Sequence, residues 1–248
     1  MAVLVTRPYP DNEATAAKLR ARGLEVLLAP MLRFEPIAFH DDPDARYDAV
    51  VVTSSNALRA LAPQFAETRL LHLPLFAVGE QTAATARAMG FGQVVSANGD
   101  ALALQDRLIE SVRAKQLKKT SRLLYLAGAD LSRDLAGEWD RRGFRVETRT
   151  TYRMVAVSTL PREACEAFAT GGLIAVLHYS RRSAATFLEA VRTEGIEISA
   201  LAVAQCCMSG NIGAVLREAG AMQVMVAATP DENALFEVLD RALRSRMA

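Results

Sequence analysis

Short apolar runs alternate with helix-patterned segments along nearly the whole chain, and this alternation restricts the possible fold more than any other feature. VLVTR (3–7) is followed by DNEATAAKLRARG (11–23), then by EVLLAP (25–30). In the middle segment Asp11 or Asn12 is placed to cap a helix and Gly23 to end it. Further strand-like runs are DAVVVTS (48–54), LFAVG (75–79), QVVSA (93–97), RLLYLAG (122–128), RVETRTTYRMVAV (145–157), LIAVLHYS (173–180), ALAVA (200–204) and MQVMVAA (222–228). Strands apolar on both faces belong to parallel sheets covered by helices, so the predicted class is α/β, with open parallel sheets of the flavodoxin or Rossmann type. Ligands of such sheets bind beyond the carboxyl ends of the strands. Two segments, MLRFEPI (31–37) and TTYRMVAVS (150–158), have strand-like composition without a handover to a helix, and read as linkers.

The two halves resemble each other. A shift of 120 carries Val3, Leu4 and Val5 onto Leu123, Leu124 and Tyr125, Leu19 onto Trp139 and Gly23 onto Gly143. A shift of 126 lays Ser54 over Ser180, and a shift of 130 lays Gly79 over Ser209 and Gly90 over Gly220. Offsets that grow slowly in one direction are those of a duplicated domain with loop insertions. Trp139 then reads as a core residue.

At 248 residues with 51% apolar content the chain fills a sizeable core. A formal charge of +1 without a basic or acidic block gives no sign of a nucleic-acid surface, and any polyanion binding must be local. The three cysteines, Cys165, Cys206 and Cys207, include adjacent neighbours that pair only with strain, which indicates reduced thiols and a reducing compartment. His40, His72 and His178 lie far apart with no metal-ligand spacing, so no metal is predicted. The N-terminus enters a strand pattern without a leader, and no apolar run reaches membrane-spanning length, so a cytoplasmic location is expected.

Four strand ends carry polar chemistry: Thr6 and Arg7; Thr53, Ser54, Ser55 and Asn56; Gly79, Glu80, Gln81 and Thr82; Ser180 and Arg181. A hydroxyl residue at a helix start ordinarily caps the free N–H groups, and the same groups hold anions. Several such corners at the edges of two sheets would line a cleft with amides and hydroxyls, suited to a ligand bearing many carboxylates. The glycines lack dinucleotide spacing, and neither a Walker loop nor a Gly-x-Ser-x-Gly elbow is present, which removes nicotinamide chemistry, phosphoryl transfer and serine hydrolysis. His178 has no carboxylate companion and reads as packed or solvated, while Tyr152 stands in the second linker, where a tyrosine can face a ligand or pack as a hinge. A non-catalytic bilobal protein that binds a small anion accounts for the corners equally well.

Taken in order, VLVTRP, VVTSSNAL (51–58), LFAVGEQTAATA (75–86), the tyrosine of TTYRM, LHYSRRSAATF (177–187) and AATPDENAL resemble the uroporphyrinogen-III synthases. The second copy departs from the pattern: Ser209, Gly210, Asn211 and Ile212 stand where a Gly-x-x-Thr would recur. The resemblance implies two similar lobes joined by a two-stranded ladder, one lobe of residues 1–34 with 158–248 and the other of 38–150, with linkers 35–37 and 151–157. It implies closure of hydroxymethylbilane, a linear tetrapyrrole, to uroporphyrinogen III with inversion of the last pyrrole ring, and no cofactor. Water leaves the terminal hydroxymethyl group, and the resulting azafulvene cation attacks a substituted pyrrole carbon to give a spiro intermediate. The family pattern makes Tyr152 the candidate proton donor, and assigns Thr6, Arg7, Thr53, Ser54, Ser55, Asn56, Gly79, Thr82, Gly128 and Ser180 to the substrate's carboxylates. Near-neutral charge and the absence of a long apolar surface stripe make a monomer the default, and transient contact with the preceding enzyme of the pathway is possible.

Overall fold

A computed structural model describes residues 1–40, 42, 44–61, 69–131 and 133–247. The chain begins with β1 (Ala2–Val5), α1 (Asp11–Ala21), β2 (Glu25–Leu28) and β3 (Leu32–Pro36). It continues through β4 (Ala49–Val52), α2 (Ser55–Leu61), β5 (Leu75–Ala77), α3 (Glu80–Ala88), β6 (Val94–Ser96), α4 (Ala101–Arg113), β7 (Arg122–Gly128), α5 (Leu135–Asp140) and β8 (Arg145–Ala156). The last stretch holds α6 (Arg162–Ala169), β9 (Leu173–His178), α7 (Arg181–Thr193), α8 (Glu197–Ala202), β10 (Ala204–Cys207), α9 (Gly210–Glu218), β11 (Val224–Val226) and α10 (Glu232–Met247). The chain divides into two compact units, Met1–Phe34 with Val155–Ala248, and Glu35–Met154.

The first unit holds a five-stranded sheet in the order β11-β10-β9-β1-β2, parallel throughout. Both of its faces are buried: Leu4 and Val176 pack on one side with Phe187 and Val191 of α7, and Val3, Val5 and Leu177 pack on the other with Leu19 of α1 and Leu235 of α10. α7 follows from its sequence, because Ala184, Phe187, Leu188 and Val191 fall at spacings of three and four and form one buried stripe.

The second unit repeats the design. Its sheet runs β3-β8-β7-β4-β5-β6 and is parallel from β8 to β6. β4 is AVVV with every residue buried. Val50 and Val52 face a core with Leu58 and Leu124, and Ala49 and Val51 face another with Tyr125 and Trp139. Each such valine contributes about 1.5–3 kcal/mol by burial, and the branched side chains suit the pleat. β3 joins the sheet through β8: the Ile37 amide donates to the Thr151 carbonyl at 2.7 Å, and Arg153 pairs with Glu35 at 2.7 Å. The Val157 amide donates to the Met31 carbonyl at 3.0 Å, so partner numbers fall along one strand as they rise along the other, and the pairing is antiparallel.

The sheet orders show what the sequence offsets mean. β4, β5 and β6 correspond to β9, β10 and β11, while β7 and β8 correspond to β1 and β2, so one unit is a circular permutation of the other. The matched glycines share a backbone state that L side chains adopt only with strain: Gly23 and Gly143 at φ +79° and +104°, Gly90 and Gly220 at +98° and +89°. Two local expectations change. The residue at the cap position of α1 is Pro10, with no side-chain cap, because Asp11 already lies in the first turn. ALAVA is mostly α8, and the strand is AQCC (204–207), because Ala200 and Leu201 pack beneath the sheet as a helical pair. The two segments read as linkers lie in β3 and β8, the latter a strand of twelve residues.

Candidate functional site

In the second unit the chain winds outward from β4 through β5 to β6, then returns to place β7 on the other side of β4. The carboxyl ends of β4 and β7 therefore flank a topological switch point, where the helices that follow diverge and leave a crevice. Thr53, Ser54, Ser55 and Asn56 follow β4 directly. The Ser54 hydroxyl accepts from the Asn56 amide at 3.2 Å, and the Ser54 carbonyl from the Ala57 amide at 3.1 Å, so this corner closes its own turn. Asn56 Oδ1 accepts from Arg59 at 3.0 Å. Gly79 precedes α3 in an extended conformation, with no side-chain cap and nothing within 4 Å of where a Cβ would lie. The first amides of α3 thus have no side-chain cap from Gly79, and uncapped amides at a helix start are groups that can hold an oxyanion. Thr82 is 6% exposed, and its counterpart Ile212 is 3% exposed, so this position packs inward in both units.

Tyr152 reaches the same edge by an irregularity in pairing. β7 and β8 run in register from Arg122↔Arg145 to Ala127↔Thr150, and the next pair is Gly128↔Tyr152. The extra residue, Thr151, is buried, with its hydroxyl near the carbonyls of Ala57 and Ala127 at 3.4 and 3.3 Å. Without this bulge Tyr152 would share the face of Val146; with it, the ring joins the core of Val52, Leu58 and Leu126 on the opposite face. The Ala129 amide donates to the Tyr152 carbonyl at 2.8 Å and fixes the backbone there. The ring lies directly over Gly128: a Cβ at 128 would fall 2.7 Å from Cζ and 2.9 Å from the hydroxyl. Only glycine leaves the phenol that place.

A second tyrosine supports the corner from below. Tyr125, 1% exposed, stands opposite Val51 in the β4–β7 pairing and meets Trp139 edge-on at 5.2 Å. Its hydroxyl lies 3.0 Å from Thr53 Oγ1. Burial raises its pKa, the Thr53 hydrogen bond partly offsets this, and Tyr152 adds to the rise.

The residues expected from the first unit are engaged with the protein itself. The Thr6 hydroxyl is fully buried and donates to the Leu177 carbonyl at 2.7 Å, tying β1 to β9. Arg7 donates to Glu232 at 3.1 Å and to Asp11 and Thr15 at 3.3 Å, and its guanidinium lies 4.9 Å over the Tyr179 ring. Burial would raise the Glu232 carboxyl, but Lys18 at 2.5 Å and Thr15 at 2.6 Å hold it below the usual range. Ser180 caps α7, accepting from the Ser183 amide at 3.0 Å and donating to its hydroxyl at 2.8 Å. His178 is fully buried and paired with Gln205 Oε1 at 2.8 Å. Because Gln205 Nε2 already donates to two carbonyls, His178 is the donor, its Nδ1 is unprotonated, and burial lowers its pKa to about 4. It is a packed histidine rather than a general base. An apolar hollow of about 420 Å³ lies beside β3, lined by Tyr9, Pro30, Leu32, Phe34, Leu160 and Pro161.

The family model described as uroporphyrinogen-III synthase HemD matches residues 13–237. The chain belongs to the uroporphyrinogen-III synthase family. The fold agrees: a uroporphyrinogen-III synthetase from Helicobacter pylori 26695 superposes with a TM-score of 0.66 at 17% identity, covering 98% of this chain and 99% of that one. A mutant uroporphyrinogen III synthase from the extremely thermophilic bacterium Thermus thermophilus superposes with a TM-score of 0.57 at 17% identity, covering 99% and 100%. A comparison with curated protein sequences found no match. As a uroporphyrinogen-III synthase, a cyclising lyase, the protein closes hydroxymethylbilane to uroporphyrinogen III with inversion of the terminal ring, a step of haem biosynthesis. No helix among the described residues is long and apolar enough to cross a membrane, and no cluster among them has the make-up of a metal site.

For the synthase, the second unit gathers Thr53, Ser54, Ser55, Asn56, Gly79, Gly128 and Tyr152 at the carboxyl edge of one sheet. The sequence does not single out Tyr125, whose hydroxyl meets Thr53 at this edge. The signal was present, since the shift of 120 lays this hydroxyl-bearing residue over Val5, but nothing in the sequence points its side chain toward Thr53.

Proposed function

We propose that this edge of the second unit holds hydroxymethylbilane and that Tyr152 assists departure of its terminal hydroxyl. The observation carrying the assignment is the bulge that turns the Tyr152 ring onto Gly128, beside the hydroxyl corner after β4. The pyrroles supply the electrons for closure, so the protein contributes a proton donor and a conformation. The phenol hydrogen-bonds the leaving oxygen and transfers its proton as the C–O bond breaks, giving water and an azafulvene cation. That cation attacks the substituted carbon of the last ring, and the spiro product fragments and recombines with the ring inverted. The Thr53, Ser54 and Ser55 hydroxyls, the Asn56 side-chain amide and the first backbone N–H groups of α3 after Gly79 donate to acetate and propionate groups. Thr6, Arg7, Thr82 and Ser180 support the sheets and caps in this reading.

Bilane released to water closes without inversion, which gives reason for transient contact with the enzyme that makes it. The near-neutral chain with scattered charge acts as a monomer in this reading.

The test supplies freshly made hydroxymethylbilane and separates the oxidised products. Excess III isomer is expected from the wild type, and Tyr152→Phe is expected to slow its formation about ten- to hundredfold, at or below the lower end of the effect of a positioned acid. Wild-type rates in Tyr152→Phe would remove the tyrosine from the chemistry.

A further inference from the structure

The Tyr125–Thr53 pair has a direction. Both groups are hydroxyls, and either is able to donate across their 3.0 Å separation. A phenol ionises near pH 10 whereas an aliphatic alcohol is far less acidic, so the phenol is the stronger donor and the alcohol the better acceptor. Tyr125 is also 1% exposed, wedged against Trp139, and Thr53 Oγ1 is the partner its hydroxyl finds. A buried O–H left without an acceptor costs about 1–3 kcal/mol, which holds the donor role on the tyrosine. Thr53 then receives a hydrogen bond from below, and its own proton is turned to other acceptors. Thr53 is half-buried at the carboxyl end of β4, and the neighbouring turn is closed by Ser54 rather than by Thr53. Its branched side chain has few rotamers, so accepting from Tyr125 also fixes where its proton points.

We propose that Tyr125 is a positioning residue for the synthase: its buried phenol donates to Thr53 Oγ1 and so presents the Thr53 proton to a carboxylate of hydroxymethylbilane. The inference rests on the assignment of Thr53 to the substrate. An acceptor-only anion needs donors, and an unsupported threonine hydroxyl offers its lone pairs as readily as its proton. Tyr125 removes that ambiguity without meeting the substrate.

Steady-state kinetics of Tyr125→Phe, Thr53→Val and the double variant test this. Removing one hydrogen bond's net worth is expected to raise KM for hydroxymethylbilane about three- to tenfold in each single variant, with kcat and the III to I isomer ratio near wild type. The double variant is expected to match Thr53→Val alone, since the two groups act as one unit. Thr53→Ser, which keeps the hydroxyl, is expected to restore most of the affinity. Loss of structure alone would lower the active fraction and hence kcat. Emission from Trp139, the single tryptophan, reports whether the packing around residue 125 survives. If Thr53→Val raises KM and Tyr125→Phe does not, or if the two effects multiply in the double variant, the inference is overturned while the substrate role of Thr53 stands. If Thr53→Val leaves KM unchanged, both fall. Should Tyr125→Phe fail to fold, 3-fluorotyrosine introduced at position 125 alone keeps the phenol and strengthens its donation. KM is then expected to fall in the Thr53 enzyme and to stay constant in Thr53→Val, and an equal response in both backgrounds overturns the proposal.

Discussion

Gly128→Ala is the sharpest perturbation available, because one added carbon meets one side chain. An ideal Cβ at 128 lies 2.7 Å from Tyr152 Cζ, 2.9 Å from its hydroxyl and 3.1 Å from Cε1. Carbon atoms rest at roughly 3.5–4.0 Å, so the ring has to withdraw by about 1 Å. The backbone raises no objection, since Gly128 is not among the glycines at positive φ. Tyr152 is only half-buried, so the ring swings outward instead of straining a sealed core, where overpacking costs about 1–3 kcal/mol. Alanine also reduces unfolded-chain freedom, worth about 0.4–1 kcal/mol in the stabilising direction. Folding stability is therefore expected to change by less than about 1 kcal/mol. A displacement of 1 Å in a reacting group costs on the order of a hundredfold, so kcat for III-isomer formation is expected to fall by tenfold or more, up to the loss in Tyr152→Ala. Urea melts and isomer-resolved rates measure the two quantities. In a Tyr152→Ala background the ring is gone, and Gly128→Ala is expected to have no further effect on rate. The reasoning is refuted if Gly128→Ala is fully active, or if its loss persists undiminished when residue 152 is alanine; the latter result would make Gly128 a direct substrate contact.

Other consequences follow from single groups. His178 has a folded pKa of about 4 against an unfolded value of about 6.5, so the unfolded chain binds its proton first as pH falls. Its contribution to stability is complete above pH 6.5 and declines toward pH 4, by about 2 kcal/mol between pH 7 and 5 and roughly 3 in all. Urea titrations across that window are expected to show the slope in wild type and to lose it in His178→Phe; equal slopes would dismiss the histidine. Burial pushes Cys206 and Cys207 up to about 12, and Cys165 is partly exposed. A thiol reagent at pH 8 is thus expected to label at most Cys165 in the folded protein and all three cysteines after denaturation, and rapid labelling of three in the native state contradicts the burial. Gly90→Ala and Gly220→Ala occupy matched turns at φ +98° and +89° with no steric conflict for a Cβ. Each is expected to lower unfolding free energy by about 1–2 kcal/mol, and clearly unequal costs would speak against equivalent turns in the two units.

Much of the architecture was legible because it rests on patterns of period two and 3.6. AVVV of β4 and LIAVLH of β9 name themselves as buried parallel strands, and the offsets of 120, 126 and 130 pair strands that the sheet orders also place alike. The corner after β4 was legible for the same reason, as a polar break in an apolar run. ALAVA misled because a short apolar run has no period long enough to separate strand from buried helix, and here the contacts of Ala200 and Leu201 decide. The partners of Thr6 and Arg7 were not legible, because a strand-end position does not say whether a side chain faces solvent or a neighbour; the Leu177 carbonyl and the Glu232 carboxylate come from residues far away in sequence.

By itself, then, the order of residues determined two α/β units, their internal likeness and the family, since these depend on local periodicity and on short motifs in a fixed succession. Tertiary structure alone decided that Tyr152 sits on Gly128 and that Tyr125 stands under Thr53. Both depend on strand register, and register is a relation between segments: one extra residue at Thr151 turns Tyr152 to the other face of the sheet. No property of either segment read alone contains that choice.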